Sequence, residues 1–90
     1  MSQSYYDLNQ KVHDEMQRYA KESPDVMESF MNLHKSNARE GALSTKMKEL
    51  MALSIGICVR CDGCIAFHVN DALKAGATRD EIVEIGRAHV

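Results

Sequence analysis

The sequence has no tryptophan, one proline, five glycines and only five aromatic residues in 90 positions. Threonine is equally scarce, at Thr45 and Thr78. So few turn-formers and sheet-favouring residues make an all-β fold a poor candidate. No charge of one sign dominates: 11 basic and 13 acidic residues leave a formal charge of −2. That gives no electrostatic footprint for nucleic acid or for an anionic membrane. No apolar run approaches the roughly 20 residues of a membrane span. The opening residues Met1-Ser2-Gln3-Ser4-Tyr5-Tyr6-Asp7 carry no secretory leader pattern, so a cytoplasmic location is expected. Ninety residues bound one small domain, and 44% hydrophobic with 27% charged residues is a globular composition. A chain of this size buries only about 60–65% of its unfolded surface, so a disulfide, a metal or oligomerisation is expected to support the core.

What is present is helical periodicity. Tyr5, Leu8, Val12, Met16, Tyr19 and Ala20 recur at close to 3.6 residues, which predicts a helix over 4–21. Ser23-Pro24 restarts the chain with an N-cap and a proline at the first helical position. The second helix carries Val26, Met27, Phe30, Met31, Leu33 and Ala38 and is expected to stop at Gly41. Ser44 or Thr45 caps a third helix that is apolar nearly all round, which reads as a buried central helix. A break at 59–63 precedes a fourth helix that runs to Ala75 and is stopped by Gly76. Thr78 and Glu81 form a capping-box pattern for a fifth. Short connections between five helices predict an all-α antiparallel bundle.

The chemistry is concentrated in one segment. Cys58, Cys61 and Cys64 lie within seven residues, a pattern of redox or metal sites rather than of a secreted disulfide framework. At 100° per residue, Cys64 lies about 60° and His68 about 20° from Cys61 on a helical wheel. Residues four apart are neighbours, so His68 can reach the Cys64 thiol. An adjacent imidazole and a helix N-terminus both favour the thiolate, the reactive form. Cys61 is then placed to attack an oxidised Cys64 and close a disulfide. Glu49, flanked by Leu50 and Met51, needs a partner if it is buried. Protonation would neutralise it, and so would an ion pair with His68. A Glu49–His68–Cys64 relay follows the logic of a nucleophile, its base and the acid that orients the base.

These residues resemble a family. The stretch from Gly41 to Leu53, with Glu49 twelve residues before Cys61, then Cys64 and His68, looks like the entry helix and dithiol helix of the carboxymuconolactone decarboxylase / AhpD-like alkylhydroperoxidase family. Ala72 to Ile82 is similar to the family's next helix–turn–helix step, so the resemblance spans roughly residues 26–85 of a single domain over 1–90. Residues 1–22 are expected as an N-terminal helix, 23–85 as the resembling core, and 86–90 as a truncated or altered end where the family usually continues with another apolar segment. The resemblance implies a helical domain assembled as a trimer or hexamer. It implies a thiol-dependent peroxidase or disulfide oxidoreductase acting on (alkyl) hydroperoxides, with an antioxidant role. By the same resemblance Cys64 is peroxidatic, Cys61 resolving, and Glu49 and His68 belong to the proton relay. The expected partners are a hydroperoxide and an external dithiol, such as a lipoylated protein, with no bound cofactor or metal. Members acting as lactone decarboxylases usually lack the cysteine pair, so its presence favours the redox branch. One departure bears on efficiency: Gly63 stands where well-studied alkylhydroperoxidases carry a His before the second Cys.

Competing readings attach to each residue. Cys58, Cys61, Cys64 and His68 also imitate an iron–sulfur or Cys₃His zinc run. Lyase action of the decarboxylase type and a redox-sensing module without turnover are further alternatives. Cys58 is expected in the core, Met27, Met31, Met47 and Met51 in the core or an interface, and His34 at the surface or an interface. His13 and His89 are expected to be solvated, Arg60 and Asp62 to be loop charges, and Glu49 could sit at the wet edge of its helix.

Overall fold

A computed structural model describes residues 4–88, which form five helices. They are α1 (Tyr5–Glu22), α2 (Pro24–Ala38), α3 (Thr45–Cys58), α4 (Asp62–Lys74) and α5 (Arg79–Arg87). The start signals act as the sequence predicts at most ends. Ser4 Oγ accepts from the Asp7 amide, and Ser44 Oγ from the Met47 amide, each at 3.0 Å. Thr78 and Glu81 exchange both bonds of the capping box, at 3.1 and 2.8 Å. Ser23 differs, because its side chain makes no cap bond. Its backbone N–H instead closes α1 on the Tyr19 carbonyl, while its own carbonyl accepts from Met27. One residue thus ends one helix and begins the next.

The second helix stops at Ala38, short of the expected Gly41. Its last carbonyls are taken by side chains from the start of α3. Thr45 Oγ1 donates to the Ala38 carbonyl, and Lys48 Nζ donates to Asn37 and Arg39 at 3.0 and 2.8 Å. These bonds satisfy the orphan acceptors of a helix end, and Arg39 leaves in an extended conformation. The turn after α4 places Gly76 at φ +97°, where a β-carbon would be strained.

The central pairing is α3 against α4, with α1 on α4, α2 on α1 and α5 on α3. Buried apolar side chains are few: Leu50, Leu53, Ala66, Ala72 and Ala77, with Ile82 and Ile85 packed against them. The fold measures 41 × 41 × 21 Å, with a radius of gyration of 13.9 Å. A compact chain of this length would have a radius near 12 Å. The helices therefore form a thin slab. This corrects the expectation of a wholly buried third helix. One face of α3 (Glu49, Leu50, Leu53, Gly56) is covered, while Met47, Met51 and Ile55 remain exposed, as does Cys58. Among the described residues α4 is the main helix packed on α3, with smaller contributions from α5 and α2. Cys58 is accordingly not a core residue of the single chain.

Candidate active site

The first turns of α3 carry Glu49, and the middle of α4 carries His68. The α3–α4 packing brings them together. Glu49 is 6% exposed, and its Oε2 lies 2.7 Å from His68 Nδ1. Burial of the carboxylate is matched by a charge-capable partner, as a buried acid requires. The wet-edge reading of Glu49 is thereby replaced. With Nδ1 held by Glu49, Nε2 is the ring nitrogen left for a proton donor in the cleft.

Cys61 and Cys64 are joined as a disulfide, with Cα atoms 5.2 Å apart. Cys61 is also the N-cap of α4, and its Sγ accepts from the Cys64 amide at 3.2 Å. Cys64 therefore sits in the first turn of a helix, where the unsatisfied amides and the dipole favour negative charge on sulfur. The close α3–α4 approach is made by Gly56: a β-carbon there would stand 3.2 Å from the Cys64 Cβ.

A cleft of about 700 Å³ opens over this pair. Its apolar wall is built by Val12, Met16, Met27 and Phe30 from α1 and α2. Cys61, Cys64, Phe67 and His68 line it from the α4 side, and His34 joins them from α2. Gly63 lies on the lining, and a β-carbon on it would meet Val12 Cγ2 at an ordinary 3.8 Å. A histidine at that position would thus occupy space between α4 and α1 that the glycine leaves to the cleft. Phe67 gathers three imidazoles: His13 stacks on it at 5.8 Å, while His34 and His68 meet it edge-on at 5.5 and 5.4 Å.

The sequence pattern of the carboxymuconolactone decarboxylase family matches residues 24–89. The chain belongs to that family. A protein of the carboxymuconolactone decarboxylase family from Legionella pneumophila, lpg0406, crystallised in its apo form, superposes with a TM-score of 0.83 at 32% identity. The match covers 93% of this chain and 75% of that one. An uncharacterised protein of Cupriavidus necator is 34% identical over 62 residues, covering 69% of this chain and 55% of its own length. Uncharacterised protein 4 in the cox locus of Paracoccus denitrificans is 34% identical over 59 residues, covering 66% and 53%. The chain thus spans about half the length of the curated relatives it matches. The all-helical fold is that expected from the helical periodicity, and the family is the one that residues 26–85 resemble. Among the described residues no helix is long and apolar enough to cross a membrane.

The structure of this carboxymuconolactone decarboxylase family member adds two residues that sequence reasoning missed. His34, expected at the surface, lines the cleft and stands with Nε2 3.7 Å from Asp71 Oδ2. Asp71 was not singled out at all, although it lies three residues beyond His68 and so on the same helical face. One donor atom each from His34, Glu49 and Asp71 fall within 4.8 Å of one another. The Asp71 carboxyl is raised above the usual carboxylate value, first by burial and then by the charge of Glu49, with His34 pulling it back. His13 is half-buried rather than solvated. The Cys58–Cys61–Cys64–His68 run does not converge as a ligand set, because Cys58 is exposed and Cys61 is bonded to Cys64. Arg60 occupies the α3–α4 turn at φ +58°, and Asp62 is exposed near the Tyr5 hydroxyl at 3.4 Å. His89 lies outside the described residues.

Proposed function

We propose that this chain is a thiol-dependent peroxidase or disulfide oxidoreductase of the AhpD-like branch of its family, with Cys64, Cys61, His68 and Glu49 as its working residues. The observation that carries the reading is the 2.7 Å Glu49–His68 contact beside a Cys61–Cys64 pair at the floor of an apolar cleft. In the reduced protein His68 takes the Cys64 proton, and Glu49 holds the imidazole in position and balances its charge. The Cys64 thiolate attacks the distal oxygen of a hydroperoxide, and the O–O bond breaks. The departing alkoxide takes the proton from His68 and leaves as an alcohol, and Cys64 becomes a sulfenic acid. The Cys61 thiol then attacks that sulfur, forming the disulfide and releasing water. An external dithiol, such as a lipoylated protein, restores both thiols by exchange and is itself oxidised. The apolar lining suits an organic hydroperoxide. The exposed Met47, Met51 and Ile55 stripe suits a homo-oligomer of trimer or hexamer type.

The test is hydroperoxide consumption driven by a dithiol reductant. Turnover is expected in the wild type and should be lost, by about 10³-fold or more, in Cys64→Ser. Full activity in that variant would overturn the assignment. Lyase action on a carboxylactone is supported by the family description alone. It would replace the redox reading if a Cys61→Ser/Cys64→Ser double variant turned over such a substrate.

A further inference from the structure

Asp71 and His34, which cluster with Glu49 behind His68, are not used by the chemistry above. Glu49 reaches His68 from α3. Asp71 follows His68 by one helical turn on α4 and faces His34, which arrives from α2. Two acids and two imidazoles from three helices therefore form one cluster, with His34 and His68 opening onto the same cleft as Cys64. Lys74 is the further cation whose charge reaches Asp71, and His13 from α1 lies one ring away, across Phe67. Two carboxylates within 4.8 Å in a half-dry site do not ionise independently.

We propose that Asp71 and His34 form a second acid–base pair, coupled through Glu49, that controls how readily His68 takes the proton of Cys64. Asp71 is a positioning residue here, since it acts on the thiol only through His68. Its anion stabilises the imidazolium more than it destabilises the more distant thiolate, so ionising Asp71 favours the thiolate–imidazolium pair. A protonated Asp71 leaves His68 with Glu49 alone. His34 sets the pH at which Asp71 ionises, since a protonated imidazole 3.7 Å away favours the anion. The inference rests on the Cys64–His68 proton exchange proposed above, and it assigns that exchange a pH-dependent control.

The experiment is the pH dependence of Cys64 alkylation by iodoacetamide in the reduced protein, followed by mass spectrometry at the Cys64 peptide. The thiolate displaces iodide, so the rate reads the thiolate fraction without any hydroperoxide. The wild type should show an acid-side step above the ordinary carboxylate range. Asp71→Asn should abolish that step and slow alkylation at pH 7 by about three- to tenfold. Asp71→Glu should restore it, which a purely structural role would not do. His34→Gln should move the step to higher pH. This variant carries the test alone if Asp71→Asn does not fold. Superimposable profiles for Asp71→Asn and the wild type, or an unmoved step in His34→Gln, would overturn the inference. These profiles with no peroxidase turnover would instead remove the proposed activity and leave the control pair standing.

Discussion

Gly56 of α3 and Cys64 of α4 approach so closely that a β-carbon on the glycine would lie 3.2 Å from the cysteine Cβ and 3.5 Å from the Ile65 amide nitrogen. The dithiol helix is therefore seated directly on the glutamate helix, and the site geometry depends on the absence of one methyl group.

Gly56→Ala measures that dependence. Alanine gains about 1 kcal/mol in helix propensity, but here its methyl meets the Cys64 Cβ at 3.2 Å, which must give by a few tenths of an ångström. A net loss of about 1 kcal/mol is expected in chemical denaturation. Gly56→Leu should lose about 3 kcal/mol or more, because its bulk has no space between the helices.

Glu49→Ala removes the partner of His68 from a buried position. The loss of a buried charge-assisted bond should cost about 2 kcal/mol of stability, and dithiol-dependent turnover should fall about 10- to 100-fold. Glu49→Gln should keep most of the stability while losing most of the rate, since the amide still fills the site but carries no charge. Unfolding curves and steady-state rates measured on the same preparations separate the two effects.

Two carboxylates should give pH dependences of opposite sign. Glu81 is held below its ordinary value, first by the Thr78 backbone N–H and then by Lys46 at 3.0 Å. Its contribution to stability is present above the unfolded value of 4.5 and is lost as pH falls through the lower folded value. Glu81→Gln should therefore flatten the acid limb of a melting-temperature profile. Asp71 is raised above 3.8, so the folded state holds its proton more tightly than the unfolded chain. Stability falls as pH rises through that window, and Asp71→Asn should melt higher than wild type at pH 7.

The exposed stripe on α3 predicts assembly. Ile55 is 61% exposed in the single chain, and Met47 and Met51 continue the same face. Sedimentation should show wild-type protein larger than 10.1 kDa, and Ile55→Glu should shift it towards the monomer.

The five helices and the Glu49, Cys61, Cys64 and His68 set were legible because their signals are local. Capping residues, 3.6-residue periodicity and fixed spacings state themselves along the chain. The Ala38 terminus was not legible, because side chains of the next helix end α2, and no property of Arg39 or Glu40 announces this. His34 and Asp71 were missed for a similar reason. Asp71 shares a face with His68, a signal that spacing offered, but its meaning depends on a histidine 37 residues earlier in the chain. The exposure of Cys58 was misread because an apolar stripe states a wish for burial without naming what supplies it.

The hydrogen bond from the Cys64 amide to Cys61 Sγ joins electron transfer to helix fraying. The third backbone donor of α4 rests on an atom whose bonding changes with every redox cycle, and the disulfide holds that sulfur in place where a free Cys61 thiol can rotate away. The protein thus writes its oxidation state into its own backbone, where solvent deuterium can read it. Exchange at that one amide should be slow when the pair is oxidised and quicken when it is reduced.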